Sequence, residues 1–354
     1  MTRRYRTRRR LNVIKAHLRS GVTYGVLGAL TGFLLSGCHA AHSHPDAWRL
    51  SSGGRGGLAV EVLGSIDRVT YFGRAKGPNL LHIEGLNRGP RDDGEYRFFG
   101  GLYTWTSPQY AWFSEAGEPQ DWPPDPAMDI GPVLRTGGAR NQFSTTGPVQ
   151  RSGLQEIKTI GLVDGSTATF EFELRNRGPA PVSAGPWSLS ASGRRNLIAV
   201  RMKEGTTVWG TEEDSKQKFD SILGKVNPKT GWALIKPKKA RWKGGIKVYI
   251  EPPPGEAAEV AFCRKGYWMY RAIQPLSERE KAQLRESGEG PIAFYVQPGR
   301  GKEQTIIETE LYGPIESLEP DRSTKTVETW RIFKARGRRT SILPRRGPHA
   351  GSRK

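Results

Sequence analysis

The stretch Gly161–Ser190 reads GLVDGSTATFEFELRNRGPAPVSAGPWSLS. Asp164-Gly165 is a turn signal, because glycine adopts backbone conformations that other residues avoid. From Ala168 to Arg175 the pattern alternates. Phe170, Phe172 and Leu174 share one side, and Glu171, Glu173 and Arg175 the other. Period two predicts a half-buried β-strand. Asn176-Arg177-Gly178-Pro179 breaks it, since proline offers no N–H to a ladder. Val182–Ser190 reads as a returning strand with Trp187 inside it. The two runs together predict a long hairpin near the centre of a β-sandwich.

Outward from this pair the same signals recur. Strands are expected at Leu58–Leu63, Ile66–Phe72, Asn79–Glu84, Asn196–Met202, Ile246–Ile250, Ala258–Cys263, Trp268–Ile273, Pro291–Val296, Thr305–Leu311 and Thr324–Phe333. Ser277–Glu286 is the best helix candidate, with Ser277 as cap and Glu280 completing a capping box. Many strands and almost no helix define an all-β sandwich. No second linker interrupts residues 58–333, so they are read as one domain.

The N-terminal side carries a targeting pattern. Residues 1–20 hold eight basic residues and no acid, and residues 22–36 are mostly apolar and uncharged. Leu35-Ser36-Gly37-Cys38 follows. A basic region, a short apolar core and small residues describe an export signal over residues 1–37. The apolar run is shorter than the roughly 20 residues a spanning helix needs. The ending Leu-Ser-Gly-Cys resembles a bacterial lipobox, in which the cysteine is acylated. Cys38 is then the lipidation site, the lipid bilayer a partner, and the cell envelope the location. Two or more acyl chains hold far better than one, at about 0.8 kcal/mol per buried CH₂. Residues 38–57 read as a flexible tether. Its His39, His42 and His44 have only Asp46 beside them, and no metal site is read there.

With Cys38 lipidated, Cys263 has no intrachain partner, so no disulfide scaffold is expected. Cys263 sits in the apolar run AEVAFC and reads as a small buried hydrophobe. The formal net charge is +20, but residues 1–37 and 334–354 each contribute eight basic residues without an acid, leaving +4 for residues 38–333. A nearly balanced body argues against a nucleic-acid partner. The Gly-, Pro- and Arg-rich tail 334–354 is expected to be disordered. Lys225–Lys247 interleaves basic residues with Trp232 and Trp242. Glu212-Glu213-Asp214 upstream offers counter-charge, and the stretch reads as a solvated face.

Phe98–Met128 (FFGGLYTWTSPQYAWFSEAGEPQDWPPDPAM) holds Tyr103, Trp105, Tyr110, Trp112, Phe113 and Trp122. Gly100-Gly101 and Pro123-Pro124 exclude a regular element over its length. Its rings either pin a long loop to the body or wall a pocket. Aromatic rings combine apolar faces with N–H and O–H handles. Sugar rings have apolar C–H faces and hydroxyl edges, so they match such a wall. Tyr103, Trp105, Trp112, Trp122 and Trp187 are the candidate ligand-binding residues.

Four pieces resemble a bacterial lipoprotein family with the galactose-mutarotase-like fold, a β-supersandwich. They are Gly64–Leu81, closed by Asn79-Leu80-Leu81; Gly100-Gly101 to Trp105 with Trp122-Pro123-Pro124-Asp125-Pro126; Asn176–Trp187; and Glu308–Pro320 (ETELYGPIESLEP). Their order and spacing carry the resemblance. Aldose epimerases of that superfamily use a glutamate as base and a histidine as acid on the open face of the sandwich. The region of Pro186-Trp187 resembles the place of that histidine, and Trp187 stands there instead. His82 is the only histidine from residue 45 to residue 347.

In Thr305–Leu311, Glu308 and Glu310 are two apart and share a face. They are candidates for a base and a binding partner, or else solvated strand charges. Glu308, Glu310 and His82 are thus the candidate catalytic residues. No Ser-His-Asp order, phosphate loop or two-Cys metal spacing is present, and no cofactor is implied. Three functions stay open: an exported, membrane-anchored carbohydrate-binding protein, an aldose 1-epimerase-like sugar enzyme, and a structural envelope lipoprotein.

Overall fold

The computed structural model describes residues 46–335 apart from 55, 85–97, 114–117, 121, 130, 194–195 and 300–304, together with Leu343. The export signal, Cys38 and the three tether histidines lie outside the described residues. The chain begins with β1 (Ala47–Ser51), β2 (Leu58–Leu63), β3 (Arg68–Arg74) and β4 (Leu102–Ser107). A long loop then holds the short pair β5 (Trp112–Phe113) and β6 (Pro119–Gln120) and the single turn α1 (Pro126–Asp129). There follow β7 (Leu134–Ala139), β8 (Gln142–Val149), β9 (Leu154–Leu162), β10 (Thr167–Asn176), β11 (Val182–Ala191), β12 (Leu197–Arg201) and β13 (Thr207–Gly210). After α2 (Ser215–Ile222) come β14 (Trp232–Ile235), β15 (Ile246–Glu251), β16 (Ala258–Arg264) and β17 (Tyr267–Ile273). The helix α3 (Glu278–Glu286) precedes β18 (Ile292–Gln297), β19 (Ile306–Tyr312), β20 (Glu316–Leu318) and β21 (Ser323–Lys334).

Hydrogen bonding sorts the strands into two large sheets. The first runs β1-β2-β3-β4-β11-β19-β18-β15-β13, with β20 beside β11. The second runs β14-β12-β16-β17-β21-β10-β9-β8-β7. The protein is all-β, a large two-layer sandwich. Between the layers Phe72 of the first sheet meets Trp330 and Phe170 of the second, with ring centroids 4.9 and 6.2 Å away. Removing one such buried ring typically costs about 3–5 kcal/mol.

The central hairpin expected from Gly161–Ser190 is not formed. β10 pairs with β9 and β21, whereas β11 lies between β4 and β19 in the opposite sheet. Arg177–Pro181 is therefore a corner between layers. Asn176 shapes it: its Nδ2 donates to the carbonyls of Ala180 and Leu318, each at 2.8 Å, and its Oδ1 accepts the Gly178 N–H. Alternation shows which side chains share a face. It does not show which sheet a strand joins.

Other boundaries also move. β1 lies inside the stretch read as a tether and pairs residue by residue with β2, so the sheet begins at Ala47. Asn79–Glu84 is not a strand; only Ile83 bridges, to Gly100. Leu343, in the stretch read as a disordered tail, is buried in a cluster with Trp232, Trp268 and Tyr270. Cys263 is half-buried at the end of β16 rather than fully enclosed. The capping box of Ser277 and Glu280 is present.

Behind the strands that will matter most lies a buried polar network. Arg271 of β17 makes a bidentate pair with Glu328 of β21, Nε to Oε2 and Nη2 to Oε1 at 3.0 Å each. Its guanidinium also donates to Ser188 Oγ at 2.7 Å, to Ser190 Oγ and to the Thr309 carbonyl at 3.1 Å. The two sheets are thus tied together under β11 and β19. A buried guanidinium is tolerated only when its donors are met in this way.

Candidate functional site

On β19, Ile307, Thr309 and Leu311 alternate with Ile306, Glu308, Glu310 and Tyr312. Ile307 and Leu311 join the core between the sheets, and the other set takes the outer face of the first sheet. Register fixes the neighbours of that outer set. Glu308 lies beside Tyr295 of β18, which lies beside Lys247 of β15. One row further on, Glu310 lies between Leu189 and Ala293. In the next row Trp187 lies between Trp105 of β4 and Tyr312. The small Ala293 leaves room for the Lys247 side chain to cross toward Glu310.

The long loop after β4 folds over this face and closes a cavity of about 550 Å³. Ligand pockets of small molecules span about 300–1,000 Å³. Trp105, Trp122, Trp187 and Leu189 form its apolar wall, while Glu308, Glu310, Lys247, Gln109 and Gln297 bring polar atoms to it. Two glycines shape the turn that leads into β4. Gly100 and Gly101 have φ of +71° and +80°, and a Cβ on Gly100 would lie 2.2 Å from the His82 carbonyl oxygen. Only glycine fits there.

The rings of the wall are in continuous contact. Trp187 stacks on Tyr312 at 5.1 Å with planes 15° apart, and Trp105 meets Trp187 edge-on at 5.1 Å. Trp122 touches Trp105 edge-on at 6.0 Å and is 50% exposed, at the mouth. Trp112 and Tyr103 do not line the cavity. Trp112 is buried behind Trp187, its ring at 5.9 Å, and Tyr103 packs beside Trp105 and donates its hydroxyl to Glu308 Oε1.

The charges are tightly held. Lys247 Nζ is 2.9 Å from Glu310 Oε2 and 4.1 Å from the centroid of the Trp187 ring. Tyr312 donates its hydroxyl to the same Glu310 oxygen at 2.7 Å. Burial alone would lower the Lys247 pKa, but Glu310 and the Tyr249 beside it hold the ammonium above its ordinary value. Glu308 is pushed up to about 7, first by burial and next by the charge of Glu310; Tyr103, Lys247 and Arg68 oppose the rise. Two neighbouring buried carboxylates resist being charged together. A group poised near neutrality can take up or give up a proton at physiological pH.

Of the sequence candidates, the structure brings Glu308, Glu310, Trp105, Trp122 and Trp187 to one cavity. It does not bring His82 there. His82 sits against Gly193 with Nε2 3.8 Å from Glu84, and burial and then Arg264 of the second sheet lower its pKa. Sequence reasoning missed Lys247, Tyr295, Gln109 and Gln297. The strand expected at Ile246–Ile250 contained the signal, since its alternation puts Lys247 and Tyr249 on one face. Among the described residues no group of three or more His, Cys, Asp or Glu could hold a metal. No helix among them is long and apolar enough to cross a membrane.

Comparison with known proteins places the fold. No protein-family model and no curated protein matches the chain. Among solved structures the two-sheet sandwich is similar to that of the Slr1438 protein from Synechocystis sp. PCC 6803. The TM-score is 0.50 at 13% identity, over 82% of this chain and 97% of that one. A galactose mutarotase-like protein from Lactobacillus casei ATCC 334 is similar at TM-score 0.44 and 9% identity, over 81% of this chain and 100% of that one. A galactose mutarotase related enzyme from Lactobacillus acidophilus gives TM-score 0.43 at 5% identity, over 81% and 98%. At such identities the likeness concerns the fold alone.

Proposed function

We propose that the protein is an exported lipoprotein whose sandwich binds a carbohydrate in the cavity on the outer face of the first sheet. The observation that carries this reading is the joint lining of that cavity by the rings of Trp105, Trp122 and Trp187 and the charged groups of Glu308, Glu310 and Lys247. A pyranose needs a flat apolar surface for its C–H face and donors and acceptors for its hydroxyl edge. The aromatic wall supplies the first, and the Lys247, Glu310 and Glu308 groups supply the second. Screening the purified protein on a glycan array tests the reading. It expects retention of a defined set of glycans and loss of that retention in Trp122→Ala.

Turnover is a second reading, favoured by one observation: Glu308 lines the cavity, buried beside Glu310, a setting that pushes its carboxyl up to about 7. Exchange at an anomeric centre requires removal of the hydroxyl proton and delivery of a proton to the ring oxygen. Glu308 is suited to accept the first. Lys247, a hydrogen-bond donor held charged by Glu310, would stabilise the negative charge developing on the ring oxygen, which takes its proton from solvent. Polarimetry on freshly dissolved aldoses would then show mutarotation above the spontaneous rate, lost in Glu308→Gln. A spontaneous rate on every aldose would leave binding without turnover.

Attachment through acylated Cys38 is part of the same proposal. It is supported by the basic, apolar and Leu-Ser-Gly-Cys order of residues 1–38. The sandwich would then display its cavity at a membrane surface in the cell envelope.

A further inference from the structure

Arg68 opens β3 and is fully buried, and Asp129 at the end of α1 is buried. Neither lines the cavity. Arg68 Nη2 donates to Asp129 Oδ1 at 2.6 Å, and Trp105 Nε1 donates to the same oxygen at 2.9 Å. The other side of the guanidinium lies over the Tyr103 ring, with Cζ 3.8 Å from its centroid. Tyr103 in turn gives its hydroxyl to Glu308. Tyr103 and Trp105 are two apart on β4 and therefore share a face. One buried cation thus touches, directly or through one carboxylate, both the ring that walls the cavity and the ring that holds its carboxylate.

A buried ion pair contributes little net stability compared with apolar residues of the same shape, because both ions lose their water. What it supplies is geometry: a planar guanidinium accepts only a few arrangements of carboxylate and ring. We propose that Arg68, clamped by Asp129, is a positioning residue that sets Glu308 through Tyr103 and the cavity wall through Trp105. This rests on the reading of the cavity as a sugar site. In its absence the same groups would only brace β3 and α1 against β4.

The groups facing Glu308 are Glu310 on its own strand, Tyr103 from β4, Tyr295 from β18, Lys247 from β15 and Arg68 from β3. Burial and Glu310 raise its proton affinity, while Tyr103, Lys247 and Arg68 lower it. Releasing Tyr103 therefore moves the titration midpoint of Glu308 upward.

The test is ¹³C NMR of the glutamate side-chain carboxyls in the full chain, with Glu308 assigned by Glu308→Gln, read in the absence of sugar. Three variants are compared. Arg68→Met with Asp129→Asn removes both charges together, Arg68→Lys keeps a cation on Asp129 without a planar group on Tyr103, and Tyr103→Phe removes only the hydroxyl. The midpoint is expected to rise in Tyr103→Phe and Arg68→Lys by about one pH unit, the size of a lost hydrogen bond to a buried carboxylate. Any glycan retained by the wild type is expected to bind at least tenfold more weakly to Arg68→Lys. If the double variant does not fold, Arg68→Lys and Tyr103→Phe decide. An unchanged midpoint in folded Arg68→Lys, with sugar binding intact, overturns the positioning role and leaves the sugar site standing. A raised midpoint without any sugar bound by the wild type overturns the sugar site and leaves the coupling of Arg68 to Glu308.

Discussion

Lys247 stands with its ammonium 4.1 Å from the centre of the Trp187 ring and 2.9 Å from Glu310. Tyr249 and Tyr312 flank the same cation at 5.5 and 5.6 Å. The cavity therefore has a cation fixed above an aromatic ring.

Lys247→Met should be strongly destabilising, by about 3–5 kcal/mol, because it leaves the Glu310 carboxylate buried without its counter-charge. Lys247→Met combined with Glu310→Gln should recover most of that loss. Denaturant melts of the three variants and the wild type form the cycle. A single variant that melts like the wild type would show that the pair holds nothing in place.

Glu308 makes stability depend on pH. Its folded-state pKa of about 7 lies above its ordinary 4.5. The folded chain therefore binds a proton that the unfolded chain has already released, and the stability from this group is full below about 4.5 and lost as pH rises through about 7. The difference is on the order of 3 kcal/mol. Wild type minus Glu308→Gln isolates it, since Glu156 is also raised to about 7 and contributes equally to both. Melting curves from pH 4 to 8 should converge on a flatter profile for the variant. A parallel pair of profiles would contradict the assignment.

The rings of the wall separate by burial. Trp187 is enclosed, so Trp187→Ala should cost about 3–5 kcal/mol whatever the protein binds. Trp105 is 4% exposed and behaves like it. Trp122, half in solvent, should change stability by less than about 1 kcal/mol. Thermal melting of the three alanine variants checks this ranking. Only Trp122→Ala can report on a ligand without also reporting on the core.

Most strands were legible because period-two alternation survives in single sequences. Leu58–Leu63 and Glu308–Glu310 are examples, the latter giving both the strand and the shared face. The partner of each strand was not legible. Phe170 and Trp187 belong to different layers although a short turn-like segment joins their strands, because the corner is fixed by Asn176 contacting Leu318, 142 residues away. Lys247 read as a solvated charge for a similar reason. Its neighbours Glu310 and Trp187 are brought to it by register, and Trp112 from the loop after β4 stacks on Trp187. Arg68 and Asp129 meet across 61 residues, with no local pattern to announce them.

Membrane attachment has its own test. Metabolic labelling with a fatty acid should mark the wild type and leave Cys38→Ala unlabelled and uncut. Equal label in both would remove the lipoprotein part of the proposal without touching the cavity.

The central claim is that the cavity takes a sugar against Trp122. Calorimetric titration of the purified chain with a panel of mono- and oligosaccharides, wild type beside Trp122→Ala, addresses it most directly. The account predicts saturable binding of at least one sugar to the wild type and at least tenfold weaker binding to Trp122→Ala, at equal melting temperature. Binding of equal strength in both, or no heat from any sugar with the wild type, would contradict it.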